Sequence, residues 1–191
     1  MFRKLFVFAA VMLTAVSLYA QKPVAAAVTD IVDDPGNGLE MCRSLFNEYF
    51  LSELTTHVKV TVLDTASVQK AINEMQLSRG IELTDKQIAE LCDKLKTDAL
   101  CLVKMARGNK KNAVAVTVDV VSRDGKKLGQ VSASMKGIGD TDATSHAMAG
   151  KCAVILRKIR GIDEKEVKKE EKAANVKDKQ VESLPSTVTG I

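Results

Sequence analysis

Few side chains of this 191-residue chain have the chemistry that catalysis requires. Its two histidines, His57 and His146, lie far apart in the sequence, and Ser145 stands directly before His146. Neighbouring residues on a helix point about 100° apart, so this Ser–His pair cannot act as nucleophile and base. The sequence contains no G-x-S-x-G, phosphate-loop or H-E-x-x-H motif. We therefore predict no catalytic residue and do not expect an enzyme.

Two acidic segments are candidates for cation binding. Residues 140–142 (Asp-Thr-Asp) are similar to the opening of a calcium loop, but Ser145 and Lys151 stand where that loop needs Gly and Glu. Helix capping is the plainer role for this segment. The second segment follows the predicted first strand and contains Asp30, Asp33 and Asp34. For these residues a solvated turn is favoured over a site for a hard cation. The sequence predicts no metal site and no cofactor.

The cysteines leave one question open. There are four, and an even number in an exported chain permits two disulfides with three connectivities. None has C-x-x-C spacing, and each falls in an apolar stripe or strand, where a free cysteine packs as a small hydrophobic residue. Zinc is not predicted, because the histidines are not beside them. The four residues, whose disulfide state stays undecided, are Cys42, Cys92, Cys101 and Cys152.

The first twenty residues have the order of a secretory signal peptide. Arg3 and Lys4 precede an apolar run over residues 5–16, and small residues lead to Ala20. The run is shorter than the roughly 20 residues that cross a bilayer, so cleavage after Ala20 is favoured over a retained anchor. We therefore expect a mature chain, 21–191, without an integral membrane segment and located in the bacterial periplasm.

The composition of the remaining chain is that of a globular protein. Hydrophobic residues are 46% and charged residues 27%, which excludes a wholly disordered chain. The formal net charge of +4 is too balanced to imply nucleic acid as a partner. Beyond the leader, the aromatic residues lie on one predicted helix, where they form a stripe with Leu39, Cys42 and Leu54: Phe46, Tyr49 and Phe50. This helix is predicted to anchor the core, and a binding surface is the alternative.

Hydrophobic periodicity predicts an α/β domain over residues 21–161, following the signal peptide at 1–20. Continuous or alternating apolar runs predict strands, and helical spacing predicts the elements between them. The order is β-α-β-α-α-β-β-β-α, a mixed sheet of about five strands with helices packed on it. Residues 162–191 are rich in Lys and Glu and are expected to form a charged, helical or disordered tail that is dispensable for folding.

Three segments together resemble a superfamily of bacterial envelope proteins. They are VQKAINEMQL at 68–77, TDKQIAELCDKLKTDALCLVKM at 84–105 and VAVTVDVVSRDGKKLGQVSAS at 114–134. In this order they are similar to CsgG-like curli-secretion proteins, to LpoB-like activators of penicillin-binding proteins, and to the amino-terminal domain of TolB. The chain departs from the first two types, because it lacks the lipid-anchoring Cys and the long membrane inserts. The resemblance implies a non-catalytic module that docks on other envelope proteins, whose identity it leaves open.

The fifth strand is the predicted interaction surface. It is half polar, and edge strands recruit partners by adding a strand. The residues expected to face a partner are Gln130, Ser132, Ser134 and Lys136. The alternative is that they simply face water. We predict an accessory or assembly factor; a subunit of a homo-oligomeric envelope assembly is the second reading, and a small-ligand carrier or enzyme the third.

Overall fold

The computed structural model describes residues 22–108, 113–165 and 167–168. Its elements follow the predicted order and confirm the α/β class. The predicted signal peptide lies outside the described residues, and none of the described helices is long and apolar enough to cross a membrane. The elements are β1 (Val24–Thr29), α1 (Glu40–Thr56), β2 (Val60–Val62), α2 (Thr65–Glu74), α3 (Asp85–Leu95), β3 (Ala99–Arg107), β4 (Val114–Ser122), β5 (Lys127–Met135) and α4 (Thr141–Arg157).

The five strands form one mixed sheet in the order β2-β1-β3-β4-β5. β1 runs parallel to β2 and to β3, because helices carry the chain from β1 to β2 and from β2 to β3. The chain then makes two antiparallel pairings, β3 with β4 and β4 with β5. The second hairpin turns at Gly125, whose φ of 80° suits glycine. Parallel pairing therefore occupies one side of the sheet, and β5 is left at its outer edge.

Helices cover the two faces of the sheet unequally. α1 and α4 pack on one face and close the larger core, which includes Phe46, Phe50 and Leu156. α2 and α3 pack on the other face, around Ile31, Ile72 and Leu91, and reach only the half of the sheet near β1 and β3. The outer face of β4 and β5 has no helix over it in the described part of the chain. This uneven cover explains why β4 alternates buried and half-buried residues.

Local signals explain where α2 and α3 begin. Asp64 caps α2, with its carboxylate accepting a hydrogen bond from Ser67 N at 2.8 Å. Thr84 and Gln87 form a capping box at the start of α3, as the sequence predicts.

Phe46 and Phe50 on α1 are fully buried, and their rings stack at a centroid distance of 5.4 Å. The prediction that they are core residues is confirmed.

The segment after β1 differs from the prediction of a solvated turn. Asp33 is buried, and its carboxylate accepts hydrogen bonds from Arg43 Nε at 2.5 Å and from Met105 N at 2.7 Å. Arg43 also donates to Asn37 Oδ1 at 3.1 Å. The solvated-turn interpretation is wrong for Asp33, because a buried arginine ten residues downstream neutralises its charge. The ion pair ties the β1–α1 connection to α1, and the hydrogen bond from Met105 N ties it to β3.

The first residues of the predicted tail belong to the fold. Ile162 and Val167 are buried in the larger core. Arg157, which is buried, donates to Glu164 Oε2 at 3.1 Å and to Val58 O at 2.9 Å. The folded unit therefore extends past residue 161 at least as far as Val167. The remainder of the predicted tail, 169–191, lies outside the described residues.

Candidate interaction edge

β5 lies at the end of the sheet and presents an edge that no other described strand covers. It pairs with β4 along its length, with a register shift between Val120 and Val121. Val131 and Met135 point into the core and are buried. β5 contains no proline, so no missing backbone N–H interrupts its outer edge. The arrangement offers backbone donors and acceptors to an extended segment that would add to the sheet.

The side chains predicted for the interaction surface lie on one face of this edge. Gln130, Ser132 and Ser134 alternate along β5 and are exposed, as the sequence predicts. Lys136 is also exposed but follows the strand, which ends at Met135; its backbone N–H donates to Asp140 Oδ2 at 2.9 Å. The structure thus places three of the four residues side by side and the fourth just beyond them. Their role in binding stays a prediction.

Neighbours on β4 hold some of these polar groups in place. Gln130 Nε2 donates to Asp119 Oδ1 at 2.7 Å, and Lys127 Nζ lies 2.8 Å from the same oxygen. The hydroxyls of Ser132 and Thr117 are 3.3 Å apart. The face is therefore a polar sheet surface with ordered hydrogen-bonding groups. Its chemistry suits recognition by hydrogen bonds rather than proton transfer or nucleophilic attack.

α4 supports β5 from the core side. A Cβ atom added at Gly129 would lie 2.9 Å from Ile155 Cδ1, so the glycine permits the helix to approach the strand. The connection from β5 to α4 is short, residues 136–140, and α4 runs back along β5. This packing fixes the strand from behind and leaves its outer edge accessible. The sequence did not show this contact, because a glycine within a strand can mark a bulge, a bend or the close approach of another element.

The histidines meet around one carboxylate. His146 Nδ1 on α4 lies 2.7 Å from Glu53 Oε2 on α1, and His57 Nε2 lies 3.5 Å from Glu53 Oε1. The spacing of Glu53 and His57 by four residues could have indicated their half of the cluster. The contact with His146 could not be found, because it joins residues that are distant in sequence. Among the described residues, no group of three His, Cys, Asp or Glu side chains has the geometry of a metal site.

The cysteines are all buried and carry free thiols. Burial raises the pKa of the Cys101 thiol well above its usual range and that of Cys152 to about 12. A buried thiol with a raised pKa is protonated at neutral pH and is therefore a poor nucleophile. The structure therefore favours a role for these cysteines as small apolar residues of the core over a disulfide framework.

A polar groove of about 600 Å³ lies between α1 and α2, where the chain leaves β1. Asp30 in its wall pairs with Arg79 at 2.9 Å, and Arg43 is engaged with Asp33. Asn47 Oδ1 is buried beside the groove without a hydrogen-bond partner among the described residues. The remaining wall residues are Glu40, Ser44, Glu48, Leu51, Thr65 and Gln69. The volume is within the range of small-ligand sites, about 300–1,000 Å³.

The chain can be compared with protein-family models, with curated proteins and with solved structures. No protein-family model matches the chain, and no curated protein matches it. Among solved structures, the C-terminal domain of LpoB from Salmonella enterica is similar, with 14% identity, a TM-score of 0.42, and coverage of 61% of this chain and 84% of that domain. Lipoprotein GNA1162 from Neisseria meningitidis has 19% identity, a TM-score of 0.42, and coverage of 69% and 94%.

A third similar structure is the PelC dodecamer from Paraburkholderia phytofirmans, in a form with one substitution. It has 10% identity, a TM-score of 0.42, and coverage of 72% of this chain and 90% of that one. The LpoB type that the sequence motifs resemble is thus among the similar structures, while the CsgG and TolB resemblances stay predictions. At these identities and TM-scores, the likeness establishes neither a family nor an activity for this chain.

Proposed function

We propose that this protein is an exported, non-catalytic interaction module of the bacterial cell envelope, acting in the periplasm as an accessory or assembly factor. The observation that carries the proposal is β5: a strand of nine residues at the edge of the sheet, backed by α4 and open on its outer side. An extended segment of a partner would pair with this edge and extend the sheet.

Strand addition suits this edge for two physical reasons. The backbone groups along β5 are already held in extended geometry, so little conformational entropy is lost on this side when a partner binds. The side chains of Gln130, Ser132 and Ser134 stand beside the edge and can select among partners. Binding would therefore draw its affinity from main-chain hydrogen bonds and its specificity from alternate side chains.

Site-specific photo-crosslinking in cells tests this function. A photoreactive amino acid placed at Ser132 should capture a second envelope protein, because this side chain projects beside the β5 edge. The same amino acid at Lys86 on α3, whose side chain is 86% exposed, is the matched control. It should not capture the protein that is captured from Ser132. Equal products from both positions, or none from Ser132, would contradict the proposal.

The homo-oligomer alternative gives a different product in the same experiment. If copies of this chain pair through β5, the Ser132 adduct will have twice the mass of one chain and contain only its peptides. Mass spectrometry of the adduct separates this outcome from capture of a different protein.

A second candidate function is small-ligand binding in the groove between α1 and α2. The specific observation is Asn47 Oδ1, a buried acceptor without a described partner beside a groove of about 600 Å³. A ligand with a hydrogen-bond donor would satisfy this atom. A thermal-shift screen of small periplasmic metabolites tests it: a hit should raise the melting temperature of the native protein and not that of Asn47→Leu.

A further inference from the structure

We infer that the β5 edge selects an acidic strand: an extended partner segment that carries carboxylates at its two ends. This inference rests on the proposed strand addition and adds the chemistry of the partner. The observations that carry it are the lysines that surround this edge and the polarity of the strand between them.

Two of the lysines stand at the ends of β5. Lys127 begins the strand, and Lys136 follows its last residue; both are exposed. Lys127 forms an ion pair with Asp119, while Lys136 makes no ion pair with any described acidic side chain. An incoming strand that covers the whole of β5 would meet a lysine at each end: Lys136, which has no ion pair among the described residues, and Lys127, which is paired with Asp119.

Two further lysines belong to the α4 region: Lys151 lies within the helix, and Lys158 follows its last residue at the start of a short 3-10 turn. Ile155 marks the face of α4 that packs on β5, through its contact with Gly129. Lys151 is four residues before Ile155 and Lys158 three residues after it, so both lie on the same side of the helix. They are exposed, and neither is ion-paired within the described residues.

The opposite side of α4 packs against α1, so these lysines do not face that helix. Ser145 Oγ donates to Phe46 O, and Arg157 Nε donates to Val58 O; both bonds reach the α1 side. Because α4 runs back along β5, Lys151 and Lys158 add positive charge behind the strand. Acidic groups near β5 are Asp119, which lies on the opposite face of the sheet and interacts with Lys127 and Gln130, and Asp140, which follows the end of the strand.

Charge also argues against a second copy of this chain as the occupant. In antiparallel pairing of two full-length β5 strands, Lys127 of one copy would face the Lys136 end of the other. Like charges at opposing positions destabilise a pair of strands. Lysines on an edge strand are a common defence against self-association, and a partner strand with carboxylates turns the same charges into attraction.

Peptide titration followed by NMR tests the inference. The probe is a nine-residue peptide of alternating Thr and Val with Glu at each end, blocked at both termini; its counterpart carries Lys at each end. The Glu-ended peptide should shift the backbone amides of residues 128–135 and bind about tenfold more tightly than the Lys-ended peptide at low salt. Raising the salt concentration should reduce this ratio.

Variants of Lys151 and Lys158 test the contribution of the two lysines behind the strand. Lys151→Gln combined with Lys158→Gln should weaken binding of the Glu-ended peptide roughly three- to tenfold. Lys70→Gln combined with Lys86→Gln removes two exposed lysines from α2 and α3 and is the matched control, which should leave the affinity unchanged. Melting temperatures confirm that all the variants remain folded.

The possible failures are distinguishable. Equal binding of both peptides to residues 128–135 overturns the selection for acidic partners and leaves strand addition standing. If neither peptide shifts these amides, strand addition itself fails, and the proposed function fails with it. If vesicles containing phosphatidylglycerol shift them but the Glu-ended peptide does not, the lysines serve an anionic lipid surface and the inference is overturned.

Discussion

Replacing Val167 by alanine should destabilise the domain, although this residue lies beyond the end of the fold that the sequence predicts. The Val167 side chain is 1% exposed and belongs to the larger core. The substitution removes two buried carbon atoms, and at about 0.8 kcal/mol each the free energy of unfolding should fall by about 1.6 kcal/mol. For a domain of this size, the melting temperature should fall by roughly 3–6 °C.

Thermal unfolding of the mature chain, followed by circular dichroism, measures this change. Ile81→Ala is the matched control, because Ile81 is a large aliphatic residue that is 60% exposed. Its effect should stay within about 0.5 kcal/mol. Two truncations provide a second comparison: a chain that ends at Gly161 should melt below a chain that ends at Lys168.

The shorter truncation removes more than an apolar contact. It deletes Ile162 and Val167 from the core, and it deletes Glu164, which accepts a hydrogen bond from the buried Arg157. A buried charge that loses a carboxylate partner is destabilised. If both truncations unfold at the same temperature and Val167→Ala matches the control, the burial of this segment does not stabilise the domain and the reasoning is refuted.

Four other outcomes are expected. Phe46→Ala should lower the free energy of unfolding by about 3–5 kcal/mol, measured by urea denaturation. The pKa of Asp98 is below its usual value, because the Ala25 N–H and Arg160 outweigh the effect of burial. Its stabilising contribution should therefore be complete above about pH 4 and be lost as pH falls through the lowered pKa, so the difference in melting temperature between the native chain and Asp98→Asn should shrink in acid. Iodoacetamide should label Cys152 only after unfolding, because the thiol is buried and its pKa is raised to about 12. Intact-mass measurement of the exported protein should show a chain that begins at Gln21; recovery of the uncleaved chain would contradict the signal-peptide prediction.

The order and type of the elements could be predicted from the sequence because their signals are local. The capping box of Thr84 and Gln87 marks the start of α3, and the Asp-Gly pair at Gly125 marks the turn between β4 and β5. The stripe that contains Phe46 and Phe50 indicates a buried helix face. Each of these signals is complete within a few neighbouring residues, so no knowledge of the chain's path is needed.

The location of the candidate interaction edge depended on the path of the chain in three dimensions. The composition of β5 predicted a half-polar strand, but the strand order decided that it lies at the edge of the sheet. The polar residues expected at the interaction surface were found from their alternation. Lys151 and Lys158 were not, because only the packing of Ile155 on Gly129 shows which side of α4 accompanies β5.

Burial of charge was decided in the same way. By itself, the sequence placed Asp33 in a polar turn, since three aspartates close together ordinarily face water. The tertiary structure brings Arg43 and Met105 N to its carboxylate and makes burial tolerable. Val167 likewise stands in a charged segment whose composition favours disorder, yet it is buried in the larger core. Local patterns determined which elements form; contacts between residues far apart in the chain decided which side chains they enclose.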